Sequence, residues 1–127
     1  MNKFSLIKLC EDYGINLRTF REVEHDKRLA SIDLYSTSGY AARDKNQFYI
    51  IYDDEKPDEE VQFTLAHEFA HILLGHLSYR GKGGEIPDFA ENEANIFASV
   101  IMANAVIRQY DNDCFKHELK FANRLSS

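Results

Sequence analysis

The stretch FTLAHEFAHILLGH, residues 63–76, decides how this chain is read. It is an apolar run interrupted by three ionisable side chains, His67, Glu68 and His71. Burying such groups without partners costs a few kcal/mol each, so something must compensate for them. His67 and His71 are four residues apart and, on a helix, project from one face about one turn apart. That spacing lets a single Zn²⁺ accept two imidazole nitrogens at roughly 2.0–2.1 Å. Glu68 lies about 100° round the helix from His67, poorly placed as a ligand but able to serve a reacting water. The arrangement is H-E-x-x-H, two ligands plus a general base.

A zinc site needs a third protein ligand, and a catalytic one keeps its fourth position open. The candidates are Glu91, Glu93 and His76, with Glu91 favoured. Glu91 lies twenty residues after His71, past a glycine-rich loop and in the first turn of the next expected helix. Asn95, four residues on, shares its face and could orient a zinc-bound histidine from behind. Ala94 and Ala98 are small enough to let that helix approach the first closely. Glu93 sits about 200° round from Glu91 and is expected to face solvent.

His76 follows Gly75 at the end of the run. Zincins with a third histidine place glycine seven and histidine ten residues after the first; here the offsets are eight and nine. His76 is therefore expected as a C-terminal cap or rim residue. With Tyr79 it is also a candidate oxyanion or substrate contact near the helix end. His25 and His117 have no local pattern, and surface or structural roles are expected for them.

Working outward, Asp58 is the expected N-cap of the 58–74 helix, with acidic residues in its first turn and Gly75 as its stop. Residues 78–88 (SYRGKGGEIPD) form a loop, after which Asp88 caps a helix whose Ala90, Ala94, Phe97, Ala98, Ile101 and Ala105 follow helical spacing. A turn at 111–113 leads to a last amphipathic helix through Leu125. Upstream, residues 3–13 form a helix ended by Gly14. Residues 15–23 alternate only weakly. LASIDLY (29–35) and QFYIIY (47–52) are expected strands, with TSGYAARDKN as turn between them. QFYIIY would place Phe48, Ile50 and Tyr52 on one face. The fold class is α+β with segregated strands.

The 127 residues suit one domain, 1–127, and no repeat or linker argues for two. A net charge of −6 with scattered lysines and arginines argues against nucleic-acid binding. No apolar run spans a membrane, and the N-terminus lacks the apolar core of a signal peptide. Cys10 and Cys114 form no CxxC pair, and reduced structural thiols in a cytoplasmic protein are the expectation.

QFYIIYDDEKPDEEVQFTLAHEFAHILLGH followed by ENEANIFASVIM resembles the ImmA/IrrE family of zinc-dependent metallo-endopeptidases. That family shows a strand, an F-T-x-A-H-E-x-x-H-x-x-L-G-H helix and an E-x-E-A-N-x-F-A helix. The match is strong over residues 47–102 and looser upstream. It implies a zincin-like domain, one small sheet with an edge strand beside the active-site helix. QFYIIY resembles the edge strand along which zincins align an extended peptide. The resemblance also implies one Zn²⁺ held by His67, His71 and Glu91, with Glu68 as base. The substrate would be a partner protein, such as a helix-turn-helix repressor of a phage or mobile element. The chain departs from the family where L-L-M-P is common: it reads VIMANAV.

A competing expectation is a non-catalytic, zinc-stabilised module that binds a repressor or toxin without cutting it. Glu68 discriminates between the two, because a purely structural site has no need of a base. A metal-free scaffold carrying a relic motif is a third.

Overall fold

The computed structural model describes residues 6–104. The expected 111–113 turn, the last helix, Ala105, Cys114 and His117 lie outside these residues. Helix α1 (Leu6–Asp12) comes first. It closes with Ile15 N–H bonding Cys10 O and Gly14 N–H bonding Glu11 O. Gly14 adopts φ 74°, so the paired bonds form a left-handed cap that glycine accepts without strain.

The weakly alternating segment that follows splits into β1 (Asn16–Thr19) and the one-turn helix α2 (Phe20–Val23). Thr19 makes the junction, since its hydroxyl accepts from Glu22 N–H while the Glu22 carboxylate accepts from Thr19 N–H.

The LASIDLY segment is not a strand. It contributes 3-10 turns at Lys27–Leu29 and Leu34–Ser36. The Asp26 carboxylate accepts from Arg28 N–H, and the Ser36 and Thr37 hydroxyls donate to the Asp33 and Leu34 carbonyls. These local bonds satisfy backbone that a strand would pair elsewhere. Conversely, residues expected as turn form β2 (Gly39–Asp44), which pairs antiparallel with β3 (Gln47–Tyr52) across a tight connection where Lys45 has φ 59°. GYAARD is poor in strand-forming side chains, so its state is set by its partner strand.

Strand order is β1-β3-β2, with β1 parallel to β3. QFYIIY is therefore the central strand, and the expectation of it as the edge is corrected. Its unbroken apolar run is what a strand covered on both faces requires. Ile50, with Phe48 and Tyr52, packs into a core with Leu6, Cys10, Leu65, Phe69 and Ala98. Ile51 points the other way into a smaller core with Phe20 and Leu34. Beside the helix bearing the histidines, the edge is β2.

Helix α3 (Asp58–Leu73) starts on Pro57, so Asp58 is its first residue and not its cap. Asp58, Glu59 and Glu60 place negative charge at the positive end of the helix dipole. Gly75, at φ 74°, ends it and turns the chain into a 3-10 turn, His76–Tyr79. Helix α4 (88–104) begins where the Pro87 carbonyl accepts from Ala90 and Glu91 N–H, so Asp88 again lies inside the helix. Ala90, Ala94 and Ala98 are fully buried along one stripe of α4. No helix among the described residues is long and apolar enough to cross a membrane.

Candidate active site

α3 brings His67 and His71 to one face, and α4 brings Glu91 over them. The two Nε2 atoms are 3.0 Å apart. Glu91 Oε2 is 3.0 Å from His67 Nε2, and Oε1 is 3.2 Å from His71 Nε2. Among the described residues, these three side chains form a group of ligating atoms close enough to hold one metal ion. A tetrahedral site with bonds of 2.0–2.1 Å has ligand atoms about 3.3 Å apart, so the observed spacings fit. The donor set, two imidazoles and one carboxylate, suits zinc chemistry.

Burial first, then His67, His76 and Arg80, hold the His71 pKa down at about 3. His71 is therefore neutral at physiological pH, the form that ligates metals, and its approach to Glu91 is not an ion pair. Glu68 is buried beside the cluster. Burial and the Glu91 carboxylate push its carboxyl up to about 8, while Arg80 and the Ala41 backbone amide pull the other way. A cation held by the three ligands would add to that downward pull.

A cleft of about 620 Å³ opens over this floor, lined by His67, Glu68 and Glu91 and also by Ser38, Gly39 and Tyr40 around the start of β2. Gly39 allows the close approach of β2 to α3. A Cβ there would come within 2.5 Å of Thr64 Cγ2 and 3.2 Å of Glu68 Cγ.

Three expected roles need correction. Asn95 lines the cleft but bonds to neither histidine: His71 Nδ1 is taken by His76, and His67 Nδ1 is buried without a partner among the described residues. His76 is neither cap nor rim. It is buried behind His71 and does not line the cleft, with its Nε2 3.2 Å from Glu93 Oε1. Glu93 itself is exposed, and its carboxylate meets this buried ring. Tyr79 packs edge-on against Phe89 at 5.4 Å and does not line the cleft. Its neighbour Arg80 does. The Arg80 guanidinium lies over the Tyr40 ring at 4.3 Å, and its Nε is buried without a partner among the described residues. A lone arginine in a glycine-rich loop carries no periodic signal, so only the fold could reveal it. His25 is exposed beside Glu24.

A helix carrying paired histidines, a glutamate from the next helix and a small mixed sheet alongside define an α+β, zincin-like domain. The chain belongs to the Peptidase_M78 family (IrrE N-terminal-like domain), whose model matches residues 10–126. No curated protein and no solved structure gives a significant match.

Proposed function

We propose that this protein is a zinc-dependent endopeptidase in which His67, His71 and Glu91 hold one Zn²⁺ per chain and Glu68 moves the proton. The observation that carries this reading is the convergence of three ligating atoms on the floor of an open cleft, beside a buried carboxyl that faces the same space. Zinc bound there would supply Lewis-acid polarisation of a peptide carbonyl and of water. Glu68 takes the proton from the attacking water and returns it to the departing amide nitrogen. The peptide lies extended along β2, the edge strand beside the cleft, in place of the central β3. Arg80, across from Glu68, is available to the carbonyl oxygen as it gains charge.

Membership of the peptidase family supports the reaction class. The sequence resemblance to ImmA/IrrE proteins supports a cytoplasmic regulatory role, with a helix-turn-helix repressor of a phage or mobile element as substrate. A binding module without catalysis would not need Glu68 buried at the cleft floor.

The test is metal content by elemental analysis of protein purified without chelator or histidine tag, beside Glu91→Ala. One zinc per chain, reduced in the variant, is the expected result. No zinc, with none taken up on addition, overturns the reading. Co-expression with a neighbouring repressor then tests the substrate: the wild-type chain cuts it, and Glu68→Gln keeps zinc but leaves it whole.

A further inference from the structure

Two imidazoles meet nitrogen to nitrogen behind the candidate metal cluster. His71 Nδ1 and His76 Nδ1 are 3.0 Å apart, and both rings are buried. Between two neutral rings in such a contact there is room for one hydrogen, so one ring donates and the other accepts. Geometry alone leaves two assignments.

Glu93 decides between them. Its Oε1 lies 3.2 Å from His76 Nε2, on the far side of that ring. An ionised carboxylate only accepts, so the nitrogen facing it must carry the hydrogen. His76 is then the Nε2–H tautomer, and its Nδ1 is a lone pair. His71 must donate from Nδ1, which leaves its own Nε2 as a lone pair. That nitrogen is the one 3.0 Å from His67 Nε2 and 3.2 Å from Glu91 Oε1. The opposite assignment would set a lone pair against the Glu93 carboxylate and turn an N–H into the cluster.

We infer that His76 and Glu93 are positioning residues: the chain Glu93···His76···His71 locks His71 in the Nδ1–H tautomer and presents its Nε2 lone pair to the metal. The effect of this on zinc rests on the reading given above, whereas the tautomer itself does not. Carboxylate–histidine pairs behind a ligand fix ring orientation and raise ligand basicity. Here a second imidazole is inserted between them, which carries the influence of a half-exposed carboxylate to a ligand with no solvent contact. His67 has no such support among the described residues, where its buried Nδ1 finds no partner.

Long-range proton–nitrogen correlation spectra of chelated, isotope-labelled protein above neutral pH read the tautomer directly. The wild type is expected to show His71 as Nδ1–H. His76→Phe keeps an aromatic ring in the space but removes the acceptor, and His71 should move toward the Nε2–H form that an unconstrained neutral histidine side chain prefers. His76→Gln offers a side-chain oxygen and should restore part of the Nδ1–H signal. Glu93→Ala, at an exposed carboxylate, leaves the fold least disturbed and should shift the His76 tautomer mixture. By competition against a chromophoric chelator, His76→Phe should weaken zinc binding about 10- to 100-fold, with His76→Gln between it and wild type. His71 found as Nε2–H in the wild type, or an unmoved tautomer in folded His76→Phe and Glu93→Ala, overturns the inference. Failure of wild type to bind zinc would instead overturn the metal reading, with the tautomer result standing.

Discussion

His67 and His71 are one helical turn apart and chemically identical, yet the structure treats them as opposites. His71 has no solvent exposure and both of its nitrogens are engaged, one toward the cluster and one toward His76. His67 is 15% exposed, lines the cleft and has an Nδ1 with no partner among the described residues. The back of the site is thus a packed platform, and its mouth is where space and unsatisfied groups collect. Rigidity suits groups that hold; access suits groups that act on a ligand. The same contrast separates buried His76 from Arg80, four residues on, whose Nε finds no acceptor among the described residues.

The largest expected break in this contrast is at the mouth. Glu68→Gln should lower peptide cleavage by about 10²- to 10⁴-fold, the usual worth of a general acid–base group, with zinc content unchanged. Rates on a cleaved partner beside elemental analysis check this, and a variant that loses metal in step with activity would move Glu68 from mouth to back. At the back, Ala94→Leu should force α4 away from α3, because Ala94 is fully buried. Overpacking of this kind costs about 1–3 kcal/mol. Urea unfolding should record that loss, and zinc content should fall with it as Glu91 is displaced.

Gly39→Ala tests the mouth from its other wall. The new methyl meets the Thr64 methyl at an impossible distance, so either the Thr64 side chain or β2 must shift. The expected loss is again about 1–3 kcal/mol in urea unfolding, but with zinc content retained, because none of the three ligands sits on β2.

The two walls also titrate in opposite senses in chelated protein. His71, at about 3 when folded against 6.5 for an ordinary histidine, refuses a proton that the unfolded chain binds. Its contribution is therefore lost as pH falls through 6.5 toward 3. Glu68, at about 8 against 4.5, keeps a proton that the unfolded chain releases, so its contribution is lost as pH rises from 4.5 toward 8. The two ranges overlap, so stability should be greatest from about pH 4.5 to 6.5, where opposing slopes of at most about 1.4 kcal/mol per pH unit cancel. Melting curves across pH check this, and Glu68→Gln should flatten only the alkaline limb.

The smallest effect lies away from both walls. Cys10 is buried in the core, with burial first and Glu11 second pushing its thiol up to about 12. It should resist alkylation at pH 8 in native protein and react once denaturant is added, as peptide mapping would show.

Much of this site was legible in the sequence because its logic is local. The four-residue spacing places His67 and His71 on one face of α3 wherever that helix sits. The small stripe Ala90, Ala94 and Ala98 likewise announces a helix that packs closely. What escaped was non-local. GYAARD reads as turn, since strand pairing with β3 is invisible in its own side chains. QFYIIY reads equally well as an edge or as a centre, because an apolar run does not state how many neighbours it has.

What the chain determined by itself, then, is its membership of a peptidase family and the geometry of one helix, for which backbone periodicity suffices. Tertiary structure decided which strand is the edge, that Gly39 brings β2 against Glu68, that Arg80 rather than Tyr79 lines the cleft, and that His76 and Glu93 stand behind His71. Those relations join residues whose separation along the chain says nothing of their separation in space. They exist only once burial has chosen which faces meet.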